Sequence, residues 1–115
     1  MGNERELLKG NTPTLILAVL HDAPMHGYAI AQAIEKQSGD ILKFKYGTLY
    51  PALYSLENTG LIVGQWEHLE SERPRKTYSI TDAGRAELAS RTTAWSQFAL
   101  AVNNIIGGVN REQPA

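Results

Sequence analysis

The stretch Gly47-Thr48-Leu49-Tyr50-Pro51-Ala52-Leu53-Tyr54-Ser55-Leu56-Glu57-Asn58-Thr59-Gly60 decides how the chain folds. Leu49, Leu53 and Leu56 recur at helical spacing and Gly60 stands where such a helix stops. The opposite side shows Thr48, Pro51, Ser55 and Asn58. Proline is tolerated in a first helical turn, where its missing N–H removes no intrahelical bond. Pro51 therefore puts the expected helix start at about residues 46–48.

Upstream, His26 to Gln37 reads as a second helix, with Tyr28, Ile30, Ala31 and Ile34 apolar and Gly39 placed for a left-handed cap. Asp40 to Lys45 is then a short connector. Thr12 followed by Pro13 is a helix-start signal, a hydroxyl cap before a residue with pre-set φ, and predicts a first helix from Pro13 to about His21. Leu15, Ile16, Leu17, Val19 and Leu20 cover most of its surface, as suits a helix at the centre of a small core.

Downstream, Leu61 to Leu69 and Arg75 to Ile80 are β-prone and flank the charged, proline-containing Glu70 to Pro74, the pattern of a hairpin whose tip carries Arg73, Arg75 and Lys76. Thr81 caps a last helix with Asp82 in its first turn, and helical spacing persists to about Ile106, roughly 37 Å at ~1.5 Å per residue. Gly107 to Ala115 should fray. The fold class is mainly α with a small β-hairpin (α+β): a winged helix-turn-helix over 1–80, a dimerisation helix over 81–107 and a flexible tail over 108–115. The first helix should contribute to the dimer.

Composition narrows the function classes. The 115 residues, 43% hydrophobic, fit one domain and leave no room for a second. Eleven Lys+Arg oppose twelve Asp+Glu, so any nucleic-acid site must be a local patch. No cysteine is present, which excludes disulfides and thiolate metal sites and agrees with a cytoplasmic setting. The longest apolar run, Leu15 to Leu20, is far short of the ~20 residues that cross a bilayer, so no membrane partner is expected. His21, His26 and His68 have no metal-ligand spacing; capping or surface roles suit them, with His26 able to cap the second helix or touch phosphate. No phosphate loop, nucleophile elbow or paired-carboxylate motif occurs, so no catalytic residue and no cofactor are assigned.

Two helices joined by a short turn and followed by a hairpin form the plan by which a helix enters the major groove of double-stranded DNA. Thr48, Pro51 and Ser55 would face base edges. Lys43 and Lys45 before the helix, with Arg73, Arg75 and Lys76 on the wing, can neutralise phosphates, though such charges can also be ordinary solvated surface. Tyr28, Tyr46 and Tyr50 are further candidates for DNA contact; Tyr46, Tyr50 and Tyr54 lie near this helix, and at least one of them, Tyr54 foremost, should pack its ring in the core. A winged helix that binds a protein partner instead of DNA is the alternative, supported by the near-zero net charge and by Ser55.

On the last helix Leu88, Trp95, Val102 and Val109 recur every seven residues, with Phe98 and Ile105 three further on, a coiled-coil seam that Arg91 interrupts. Leu88, Trp95, Phe98, Val102 and Ile105 should form a homodimer interface; packing of the whole stripe on the first helix is the alternative. A two-fold dimer would call for a pseudo-palindromic operator with half-sites ~34 Å apart.

The segments His26-Gly27-Tyr28, Gly47 to Leu53, Leu56-Glu57, Gly60-Leu61-Ile62, Arg73 to Thr81 and then Gly84 strongly resemble PadR-family transcriptional regulators, over about residues 7–106. The single C-terminal helix resembles the short branch of that family, similar to its multidrug-binding repressors. The resemblance implies a dimeric winged-helix repressor responsive to a small aromatic effector. It also implies that Trp95 matches a tryptophan lining a pore at the dimer centre, with Leu88, Thr92 and Ala99 on the same face and Thr14 and Ala18 of the first helix as further lining. Trp95 as a seal of the dimer is the other reading. Ser55, Thr77 and Glu72 depart from the residues common in relatives: a basic residue, a tyrosine and a wing glycine.

Overall fold

A computed structural model describes residues 2–68 and 73–112, with side chains over 10–68 and 73–108. The order is α1 (Gly2–Asp22), β1 (Met25–His26), α2 (Gly27–Gln37), α3 (Tyr46–Asn58), β2 (Ile62–Glu67), β3 (Arg75–Ile80) and α4 (Asp82–Glu112). The winged helix-turn-helix read from the sequence is present, with a three-stranded antiparallel sheet of order β1-β3-β2 in place of a simple hairpin.

α1 begins well before the expected start, and Pro13 lies inside it. An internal proline removes one backbone bond and crowds the preceding turn, a cost of about 3 kcal/mol. Burial of Ile16, Leu17, Val19 and Leu20 offsets it at roughly 1.5–3 kcal/mol each, so packing overrides the local stop signal. Thr12, expected as the cap of this helix, is instead buried in mid-helix, at 3% exposure.

α2 buries Ile30, Ala31 and Ile34 and ends as expected, with Gly39 at φ +65° and Asp40 also at +65°. Ser38 secures the exit: its hydroxyl donates to the Glu35 carbonyl at 2.9 Å and accepts from the Leu42 amide at 2.9 Å. α3 starts within the expected window, but Pro51 then falls in its second turn, not its first. The bond lost there would have reached the carbonyl of exposed Gly47, which solvent can serve, while Leu49, Leu53 and Leu56 are buried and hold the helix in place.

β2 and β3 pair with Ile62 opposite Ile80, Gly64 opposite Tyr78 and Trp66 opposite Lys76. β1, which no sequence pattern announced, adds Met25 opposite Tyr78 and His26 opposite Thr77. Ile62 and Tyr78 close the core from the sheet side.

Thr81 caps α4 as expected: its hydroxyl accepts from the Gly84 amide at 3.0 Å and lies 2.7 Å from the Gly60 carbonyl, to which it donates. The Thr81 amide donates to the Leu61 carbonyl at 3.1 Å, so the α3 exit, β2 and α4 are tied at one point. α4 continues past Ile106 to Glu112; Gly107 and Gly108 cost about 1 kcal/mol each without breaking a helix that meets no proline before its end. The tail proposed from 108 is thus helical as far as Glu112, and 113–115 lie outside the described residues. The molecule is 66 Å long and 29 by 21 Å across. Among the described residues no helix is long and apolar enough to cross a membrane.

Candidate nucleic-acid interface

α3 is divided as its sequence requires: Leu49, Leu53 and Leu56 face the core, while Thr48, Pro51 and Ser55 are exposed. Lys43 and Lys45 are exposed just before its first turn. Beside them Tyr28, Tyr46 and Tyr50 form a run of exposed rings with centroids 6.1 and 6.0 Å apart. Partial desolvation, reinforced by the Tyr28 and Tyr50 hydroxyls, raises the Tyr46 phenol above its ordinary range, so Tyr46 remains a neutral donor at physiological pH. Tyr54 does not enter the core. It is 72% exposed, because its position on α3 falls outside the Leu49–Leu53–Leu56 stripe, and Tyr78 of β3, 6% exposed, is the core tyrosine.

On the wing Arg73 and Arg75 are exposed, and residues 69–72, including Glu72, lie outside the described residues. Lys76 is differently employed. Its ammonium bonds Glu57 of α3 at 2.9 Å and lies 5.7 and 5.6 Å from the centres of the Trp66 and Tyr78 rings. The hydrogen bond to Glu57 holds its pKa above the ordinary lysine value. Lys76 therefore braces the wing against α3, with its stem over Gly64, where a side chain would collide. The sequence lists of cations carried no sign of this, although Glu57 and Lys76 stand in adjoining elements.

His26 occupies the N-cap position of α2 but its side chain makes no capping bond. The ring instead turns to the sheet: Nδ1 lies 3.1 Å from the Thr77 hydroxyl and 3.8 Å from Glu67. Strand pairing explains this, since β1 sets His26 opposite Thr77. His21 meets Arg85 of α4 at 3.0 Å. Among the described residues no cluster of three potential metal ligands occurs.

A second feature lies between α1 and α4: an open cleft of about 820 Å³ lined by Gly10, Asn11, Thr14, Leu15, Leu42, Arg91, Thr92, Ala94, Trp95 and Phe98. Of the residues expected to line an effector site, Thr14, Thr92 and Trp95 come together there. Leu88 packs against the core, Ala18 is exposed and Ala99 half-buried, and none of the three lines the cleft. Asn11, Leu42 and Arg91 were not anticipated. Arg91 bonds Glu87 at 2.6 Å, an i,i+4 pair that was legible, and reaches Thr14 at 3.5 Å.

The rest of α4 presents apolar side chains to solvent: Trp95 (49% exposed), Phe98 (60%), Leu100, Ile105 (73%) and Ile106, with Val102 half-buried. Trp95 and Phe98 stack at a tilt with centroids 6.0 Å apart. Of the expected dimer residues, Trp95, Phe98, Val102 and Ile105 lie on the part of α4 that leaves the core; Leu88 helps to close the core. The Val109 side chain lies outside the described residues.

Residues 16–90 match the Transcriptional regulator PadR-like family. The chain is 33% identical over 95 residues to the transcriptional regulator Rv3488 of Mycobacterium tuberculosis, covering 80% of this chain and 82% of that one. It also matches part of a 37.1 kDa protein of transposon TN4556 from Streptomyces fradiae, 42% identical over 77 residues, of which it spans only 20%. The fold superposes on a transcriptional regulator from Clostridium thermocellum with a TM-score of 0.79 and 25% identity, covering 86% of this chain and 96% of that one. On Bacillus subtilis PadR in complex with operator DNA the TM-score is 0.64 with 26% identity, over 70% of this chain and 46% of that one. A family match across the helix-turn-helix and wing, with one long helix after them, makes this chain a member of the PadR-like family of transcriptional regulators.

Proposed function

We propose that this chain is a homodimeric repressor that binds a pseudo-palindromic operator through α3 and its wing and releases it when a small aromatic effector enters the α1–α4 cleft. The observation that carries the DNA-binding half is the division of α3, whose buried leucines fix Thr48, Pro51 and Ser55 outward behind Lys43 and Lys45. The operator complex of Bacillus subtilis PadR supports the same use of the fold. Thr48 and Ser55 would read base edges; Lys43, Lys45, Arg73 and Arg75 would neutralise phosphates, while Lys76 fixes the wing. Such a protein works in the cytoplasm, beside its DNA.

Exposed Trp95, Phe98 and Ile105, with half-buried Val102 beside them, support dimerisation, since burying them is worth roughly 1.5–3 kcal/mol each and nothing among the described residues covers them. Trp95 and Phe98 supply aromatic faces for an effector, and Thr14, Thr92 and Arg91 supply polar contacts. Because the Thr81 knot joins α4 rigidly to the wing and α3, a ligand that prefers one α1–α4 spacing changes the separation of the two α3 helices.

A band-shift titration on DNA upstream of its own coding sequence tests this. Binding should weaken steeply with salt, with a log–log slope of about −0.9 per neutralised phosphate. Failure to bind any such fragment, with the protein folded, would favour a winged-helix module for a protein partner.

A further inference from the structure

We infer that His26 makes a proton-dependent contact to the DNA backbone, so that operator binding takes up a proton and weakens as the pH rises; this rests on the operator-binding reading above. The argument is one of hydrogen-bond accounting at the His26–Thr77–Glu67 chain. The Thr77 hydroxyl owns a single proton, and it lies 2.6 Å from a Glu67 carboxylate oxygen, which can only accept. Thr77 must therefore donate to Glu67. Its oxygen is then available only as an acceptor for His26, 3.1 Å away, so Nδ1 must carry hydrogen. In the neutral ring that assignment leaves Nε2 a bare lone pair.

A phosphate oxygen is also an acceptor, so the neutral ring repels it and only imidazolium can donate to it from Nε2. The ring is held where such a contact can form. A third of its side-chain surface is exposed. The residue after it, Gly27, lies against the Tyr50 hydroxyl, where a Cβ would come within 2.7 Å, so His26 adjoins the first half of α3. Its strand partner Thr77 stands two residues from exposed Arg75 on the wing. α2 begins immediately afterwards without a side-chain cap on its first amides, which also favour an anion.

Among the described residues, the elements beside the ring carry the following titratable and charged groups. The carboxylate of Glu67 on β2 lies 3.8 Å from Nδ1. On β3, Arg75 stands opposite Glu67 in the strand pairing, and Lys76 is turned to Glu57. α2 contributes the phenol of Tyr28, and His21 and Asp22 end α1, with His21 directed to Arg85. Histidine ordinarily changes charge between about pH 5 and 8. Affinity should therefore fall as pH rises through that range, by up to about tenfold per pH unit for each subunit whose His26 must be loaded.

The test is the affinity of the full chain for its promoter fragment between about pH 5.5 and 8 at fixed salt. The wild type should lose affinity as pH rises, and His26→Gln, whose amide donates without titrating, should give a nearly flat profile with binding retained at high pH. His21→Gln and His68→Gln should keep the wild-type slope. A His26→Gln profile parallel to that of the wild type overturns the inference while leaving DNA binding intact; absence of binding at every pH overturns the operator reading and the inference together. Ring-nitrogen NMR shifts of the DNA-free wild type test the chain without any variant. The neutral ring should be the Nδ1–H tautomer, and an Nε2–H tautomer overturns the proposal.

Discussion

Replacing Gly84 by alanine should detach the long helix from the wing, and the cost can be worked from the contacts of one missing methyl. Gly84 is buried in the first turn of α4, and a Cβ there would run into the Leu61 carbonyl oxygen and come within 2.7 Å of Ile80 Cγ1. The carbonyl cannot simply move, because it accepts the Thr81 amide at 3.1 Å and shares the Thr81 hydroxyl proton, at 3.0 Å, with the Gly60 carbonyl. Overpacking of this kind costs about 1–3 kcal/mol, and weakening the two bonds adds up to about 1 kcal/mol each. Alanine's better helix propensity returns at most ~1 kcal/mol. The balance is a loss near 2 kcal/mol, and at ~4 °C per kcal/mol for a chain of this size the Tm should fall by about 8 °C. Gly47→Ala is the matched control, since Gly47 also lies in a first helical turn but its Cβ would meet nothing within 4 Å. It should raise Tm by up to ~4 °C. Thermal unfolding by circular dichroism, at one protein concentration because dimerisation shifts Tm, reads both. If Gly84→Ala proves as stable as Gly47→Ala, the close seat of α4 on Leu61 is wrong.

Three further outcomes are expected. Lys45→Ala should weaken DNA binding across all sequences and reduce the salt slope by about one, whereas Thr48→Ala should relax base preference at one position with little change in slope, both measurable by band shift. Trp95→Ala should raise the dimer dissociation constant at least about thirtyfold in analytical ultracentrifugation, the effect of losing a central aromatic anchor worth ~2 kcal/mol; an unchanged association would place the interface elsewhere. The Lys76–Glu57 brace, with the lysine pKa raised, contributes its full share of stability below the ordinary lysine value and loses it as pH climbs through the raised one. Glu57→Gln should thus lower stability by up to ~1 kcal/mol at neutral pH and narrow the gap to wild type in strong alkali, as followed by urea denaturation.

The sequence by itself determined the elements whose signal is local and periodic. The leucine stripe of α3, the left-handed Gly39, the Thr81 cap and the β-prone run of β3 each follow from interactions within a few residues, so one chain suffices to read them. The exposed face of α3 was legible for the same reason, being whatever the stripe leaves over. Packing between distant segments decided the rest. Pro13 lies inside α1 because buried neighbours outweigh a local stop signal, and β1 exists only because β3 arrives beside two residues that have no pattern of their own. The same holds within the site: Lys76 looked like one more wing cation until Glu57 met it, and His26 like a helix cap until Thr77 did. A side chain's charge and donors are written in its residue type, but which of them is already satisfied depends on what the fold brings within about 3 Å.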